Sequence, residues 1–97
     1  MPERKEVYDA IEGELSYQKA LVKQQDFNTV KTVGEYLACL GVYLRKAEDA
    51  WNDESDHGEN RPSLQQMRKI AALAVSCMEQ HGAPTRDVSD LEKRLPK

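Results

Sequence analysis

The chain has 97 residues, 39% hydrophobic and 32% charged, with 14 basic and 17 acidic side chains and a formal net charge of −3. That length holds one core and no second domain, and the mixed charge excludes the basic face that a duplex nucleic-acid binder needs. No stretch approaches the roughly 18 apolar residues of a membrane span, and the opening MPERKEVYD has no apolar run, so neither secretion nor a membrane is expected.

Residues 3 to about 25 read as a first helix. Tyr8, Ile11, Leu15 and Val22 recur on one side, flanked by Val7. Ala10, Gly13, Tyr17, Ala20 and Gln24 make a second stripe of mostly small residues, and Tyr17 points roughly 200° away from Leu15 at about 100° per residue. Small residues beside an aromatic admit another backbone at close range. A solvent-facing tyrosine among indifferent alanines fits the same periodicity.

A second helix runs from about 30 to 51. Val33, Leu37, Leu40, Leu44, Ala47 and Trp51 alternate by four and three, which predicts a buried seam. Gly34, Ala38 and Gly41 lie beside it. A glycine inside a helix costs about 1 kcal/mol against alanine, so two of them point to close helix approach. Tyr36 and Tyr43 widen the apolar face.

Residues 52–62, NDESDHGENRP, are a polar, mostly acidic connection. Gly58 stands sixth from Asp53, as in a calcium loop, but Ser55, His57 and Leu64 occupy the third, fifth and twelfth ligand positions. The loop is read as solvated.

The third helix is expected over 63–81, capped by Ser63 with Gln66 in a capping box and stopped by Gly82 and Pro84. Leu64, Met67, Ala71, Ala74, Met78 and His81 form one stripe, and Ile70, Leu73 and Cys77 another. A short fourth helix, 88–95, would carry Val88, Leu91 and Leu95. The architecture is therefore all-α, a small helical bundle. Helices 1, 2 and 3 each keep a further apolar or small-residue face, so a homo-oligomer is expected. Cys39 and Cys77, both within helical patterns and without a C-x-x-C spacing, read as reduced residues of a cytoplasmic protein.

No nucleophile constellation, zinc spacing or phosphate loop is present, and no catalytic residue, metal or cofactor is assigned. MazG-type pyrophosphohydrolases, also helical and small, hold magnesium with E-x-x-E and E-x-x-D pairs. Here Glu35 stands far from Glu48 and Asp49, and Glu12 and Glu14, two apart, do not share a helical face. That hydrolase, and a helical oligomer with no small ligand, are the alternatives.

The stretches VGEYL (33–37), YLRKAEDAW (43–51) and RKIAALAVSCMEQHGAPTR (68–86), with Tyr17-Gln18, resemble the anti-CBASS sponge family, small phage proteins that sequester the cyclic oligonucleotide signals of bacterial immunity. The resemblance spans most of residues 7–86. It implies a helical homo-hexamer that binds cyclic dinucleotides (such as cyclic GMP-AMP) and cyclic trinucleotides (such as cyclic tri-AMP) without cutting them, in two kinds of interface pocket. For the dinucleotide it implies Tyr17 as the base-stacking aromatic and Lys31 and Thr32 as phosphate holders, with Lys23 and Asn28 as substitutes because the family's lysine stands slightly earlier. For the trinucleotide it implies Arg68, Thr85 and Arg86. The residues suit such a ligand: bases want an aromatic face and phosphates want cations and hydroxyl or amide donors. Each also has a plain role, Tyr17 in packing, Lys31 and Thr32 as a first-turn pair, and Arg68 as an ion-pair partner of Glu35, Glu48 or Asp49.

Overall fold

A computed structural model describes residues 1–24, 30–53 and 61–86. Within them lie three helices and no strand: α1 (Arg4–Gln24), α2 (Val33–Asn52) and α3 (Pro62–His81). The all-α expectation holds. The fourth helix expected over 88–95, residues 54–60 of the acidic connection, and Asn28 lie outside the described residues.

Helix α2 begins three residues later than periodicity alone placed it, because Thr32 caps it. The Glu35 N–H donates to Thr32 Oγ1, and the Thr32 N–H donates back to Glu35 Oε1, each at 3.1 Å. This reciprocal box satisfies two donors that a helix start otherwise leaves open. The expected box at Ser63 and Gln66 does not form. Pro62 takes the first helical position, and Arg61, at φ 39°, stands at the N-cap without a side-chain cap bond. Proline has no N–H to satisfy and its fixed φ suits that position, so Ser63 is carried one place inside the helix. Gln66 Oε1, freed from capping, is buried without a partner among the described residues. The far end of α3 follows expectation. Gly82 adopts φ 126° and its N–H bonds Met78 O at 2.9 Å, a conformation that glycine reaches without a Cβ clash.

Helix α3 is the middle of the molecule. Both other helices pack on it, while the backbones of α1 and α2 nowhere approach within 8 Å of each other, Cα to Cα. Helix α2 lies antiparallel to α3: Tyr36 bonds Ser76 near one end, and Lys69 lies over the Tyr43 ring near the other. Helix α1 runs the same way as α3, since Glu14 pairs with Arg68 and Lys19 with Glu79.

The buried apolar residues among those described are Leu15, Tyr36, Ala47, Ala72 and Leu73. Two expected stripes therefore need correction. On α1, Ile11 and Leu15 turn inward together with Glu14, while Tyr8 and Val22 are exposed. On α2 the inward face is Tyr36, Leu40, Tyr43, Ala47 and Ala50, so only Leu40 and Ala47 of the expected seam turn inward. Leu37, Leu44 and Trp51 remain 61%, 50% and 67% exposed, and Val33 is exposed as well. The tyrosine row wins inside the subunit because it brings a polar tip that α3 satisfies. The Tyr36 hydroxyl meets Ser76 Oγ at 3.1 Å and its ring meets His81 edge-on at 6.3 Å.

Candidate functional site

A groove of about 490 Å³ runs between α1 and the first part of α3, lined by Ala10, Gly13, Glu14, Tyr17, Gln65, Arg68 and Lys69. Its α1 wall is the small-residue stripe. Ala10, Gly13 and Tyr17 fall three and four apart, so they share one face. Gly13 leaves open space where a Cβ would stand. Tyr17 is 61% exposed.

The α3 wall supplies charge. Gln65 and Lys69 are four apart with Arg68 beside them, which puts an amide and two cations on one turn. Arg68 donates its Nε–H to Glu14 Oε1 at 2.9 Å, and the Glu14 side chain is 5% exposed. The expected partners on α2 are thus replaced by one on α1. A guanidinium carries five N–H donors in a planar fork, and the bond to Glu14 uses the one on Nε. Lys69 also lies 5.8 Å from the centroid of Tyr43, which Lys46 approaches to 5.2 Å.

The other sequence-derived residues sit elsewhere. Lys31 and Thr32 precede α2 beside the end of α3, where His81 Nε2 lies 2.7 Å from Lys31 O. A carbonyl only accepts, so Nε2 carries the proton. The Lys31 ammonium lies 5.7 Å from the Tyr36 centroid and 3.9 Å from Cys39 Sγ. Thr32 serves as the α2 cap, and the Glu35 carboxyl is held below the ordinary glutamate range, first by the Thr32 backbone N–H, then by its hydroxyl, with Lys31 adding a smaller pull. Along α3, His81 stands twelve residues past Lys69, about 18 Å of helix. Lys23 is exposed in the last turn of α1, and Thr85 and Arg86 are exposed beyond Gly82.

One subunit thus brings Tyr17 and Arg68 into a single groove, while Lys31 and Thr32 stay out of it. Sequence reading missed Glu14, Gln65 and Lys69. The spacing of Gln65 and Lys69 marks a shared face, but nothing within α3 says that α1 lies opposite.

Tyrosine, arginine, lysine and glutamine around open space suit a flat ring carrying an anion. Among the described residues no group of three or more His, Cys, Asp or Glu could hold a metal ion, and no helix is long and apolar enough to cross a membrane. Cys39 and Cys77 are both unpaired and half-buried. No family model, no curated protein and no solved structure matches the chain.

Proposed function

We propose that this protein is a non-enzymatic sponge for cyclic oligonucleotides, acting as a homo-oligomer in the bacterial cytoplasm and blunting CBASS antiphage signalling. The observation that carries this reading is the α1–α3 groove, in which an exposed tyrosine faces a turn bearing Arg68 and Lys69. A base stacked on an aromatic ring contributes roughly 1–3 kcal/mol, and a phosphodiester beside a guanidinium gains a charge-assisted hydrogen bond. The sequence resemblance assigns both residues to ligand contact, but to different ligands: Tyr17 to the cyclic dinucleotide and Arg68 to the cyclic trinucleotide.

A single groove open to water would hold such a ligand weakly. Tight sequestration needs Lys31 and Thr32 as well, and these must come from a neighbouring copy, because within one subunit they sit at the other end of α3. The exposed seam of α2 and the exposed Tyr8, Val22, Leu64, Met67 and Met78 supply surface for that assembly.

The same exposed faces would serve a helical oligomer with no small ligand. Incubation with labelled cyclic dinucleotide or trinucleotide, followed by denaturation and chromatography, separates the readings. Intact ligand released from the protein is the expected result. Magnesium-dependent products would mean a hydrolase, and no retention would mean a structural oligomer. Tyr17→Ala should abolish dinucleotide retention.

A further inference from the structure

Among the described residues, nothing calls for the two glycines of α2. A Cβ on Gly34 would meet only Thr32 Oγ1 at 3.8 Å, and one on Gly41 only the flexible tip of Arg45 at 3.9 Å. Neither glycine has a positive φ. Glycine is nevertheless the least favoured residue in a helix after proline. Next to them runs the uncovered seam.

The two features form matching columns. At about 100° per residue, Gly34 and Gly41 make one column, and Leu37, Leu44 and Trp51 make another roughly 60° round the helix. Both columns repeat every seven residues. A ridge of large side chains beside a trough of glycines is what a helix needs to pack against a second copy of itself.

We infer that α2 pairs with α2 of a second copy, antiparallel about a twofold axis, with Leu44 of each copy over the partner's Gly41 and Trp51 over the partner's Gly34. One alignment satisfies both contacts, because the glycines and the large residues share the same seven-residue step. A twofold interface uses the same patch on both copies, and this patch carries both ridge and trough. The alignment also sets Leu37 opposite the partner's Glu48, and Leu40 opposite Arg45, whose methylene stem covers apolar surface.

Val33, Leu37, Leu44 and Trp51 are 45%, 61%, 50% and 67% exposed. This ridge alone supplies roughly half of the ~800 Å² per partner that a stable interface buries; the glycine trough beside it is the surface that a second copy of the same ridge would cover. The packing leaves the subunit intact, since Tyr36, Tyr43 and Ala47 face α3 roughly 120° away round the helix. This pairing specifies one interface of the oligomer in the proposed function, and it requires no ligand.

Sedimentation of the full chain without nucleotide tests it. The wild type should associate at micromolar concentration. Gly41→Leu should remain as helical by circular dichroism and associate more than about tenfold more weakly. Leu37→Glu should likewise dissociate the pair, and adding Glu48→Lys to the same chain should restore it through the partner. A wild type that sediments as one subunit, a Gly41→Leu variant that associates normally, or a double variant without rescue would each overturn the pairing. Nucleotide retention is read separately: assembly without retention sinks only the sponge, and retention with assembly indifferent to Gly41→Leu sinks only this interface.

Discussion

Arg68 and Glu14 are joined across the α1–α3 contact at 2.9 Å, with the Glu14 side chain nearly buried and the Arg68 side chain 41% exposed. The asymmetry decides which loss is worse. Removing the arginine strands a buried acceptor, which costs the desolvation of that group without its hydrogen bond. Arg68→Ala should therefore lower stability by about 1–3 kcal/mol. Glu14→Gln keeps the shape and an acceptor for the Nε–H and should cost less. Urea midpoints of the two variants check the order. Ligand binding by Arg68→Ala must then be measured where the variant is still folded.

The capping box at the start of α2 gives a pH dependence. The Glu35 carboxyl titrates below its ordinary range because the folded state bonds its charged form. Its contribution is thus fully present above the unfolded glutamate value and is lost as pH falls through the lowered one. Thermal midpoints measured down an acid series should fall more steeply in that window for the wild type than for Glu35→Gln. Thr32→Ala removes the cap itself and should cost about 1 kcal/mol at neutral pH, while Thr32→Ser should restore it.

What sequence reading reached, and what it did not, follows from the range of each signal. Gly82 and Pro84 mark the end of α3 because a stop signal is local. The Thr32-x-x-Glu35 box was equally local and fixes the α2 start three residues inside the expectation. The seam of α2 was borne out only in part: Leu40 and Ala47 turn toward α3, while Val33, Leu37, Leu44 and Trp51 are exposed. Periodicity shows that Leu37, Leu44 and Trp51 share a face but not what covers it, and inside the subunit Tyr36 reaches Ser76 instead. The groove was half legible: the stripe through Ala10, Gly13 and Tyr17 lies on one helix, whereas Gln65, Arg68 and Lys69 join it only through the α1–α3 contact.

Tyr36 is the residue on which the α2–α3 contact turns. It is 4% exposed, edge-on to His81 and bonded to Ser76. Tyr36→Phe deletes only the hydroxyl and should cost about 1 kcal/mol. Tyr36→Ala also leaves a cavity, for which about 3–5 kcal/mol is the usual cost of a large aromatic. With so few buried apolar residues among those described, that loss should unfold the subunit, read as collapse of the helical signal at room temperature.

Gly13 separates fold from function at the groove. It lines the wall beside Tyr17, and a Cβ there meets nothing within 4 Å. Replacing a helical glycine with alanine gains up to about 1 kcal/mol, so Gly13→Ala should raise the thermal midpoint. Gly13→Leu should stay folded for the same reason, yet its side chain would occupy the space where a base must lie against the tyrosine. Tyr17→Ala, at an exposed position, should shift stability by no more than about 0.5 kcal/mol. Both Gly13→Leu and Tyr17→Ala should then lose cyclic dinucleotide in equilibrium dialysis while melting as cooperatively as the wild type. Undiminished binding by both would place the ligand outside this groove, and loss in Tyr17→Ala alone would place it on the tyrosine but away from the α1 wall.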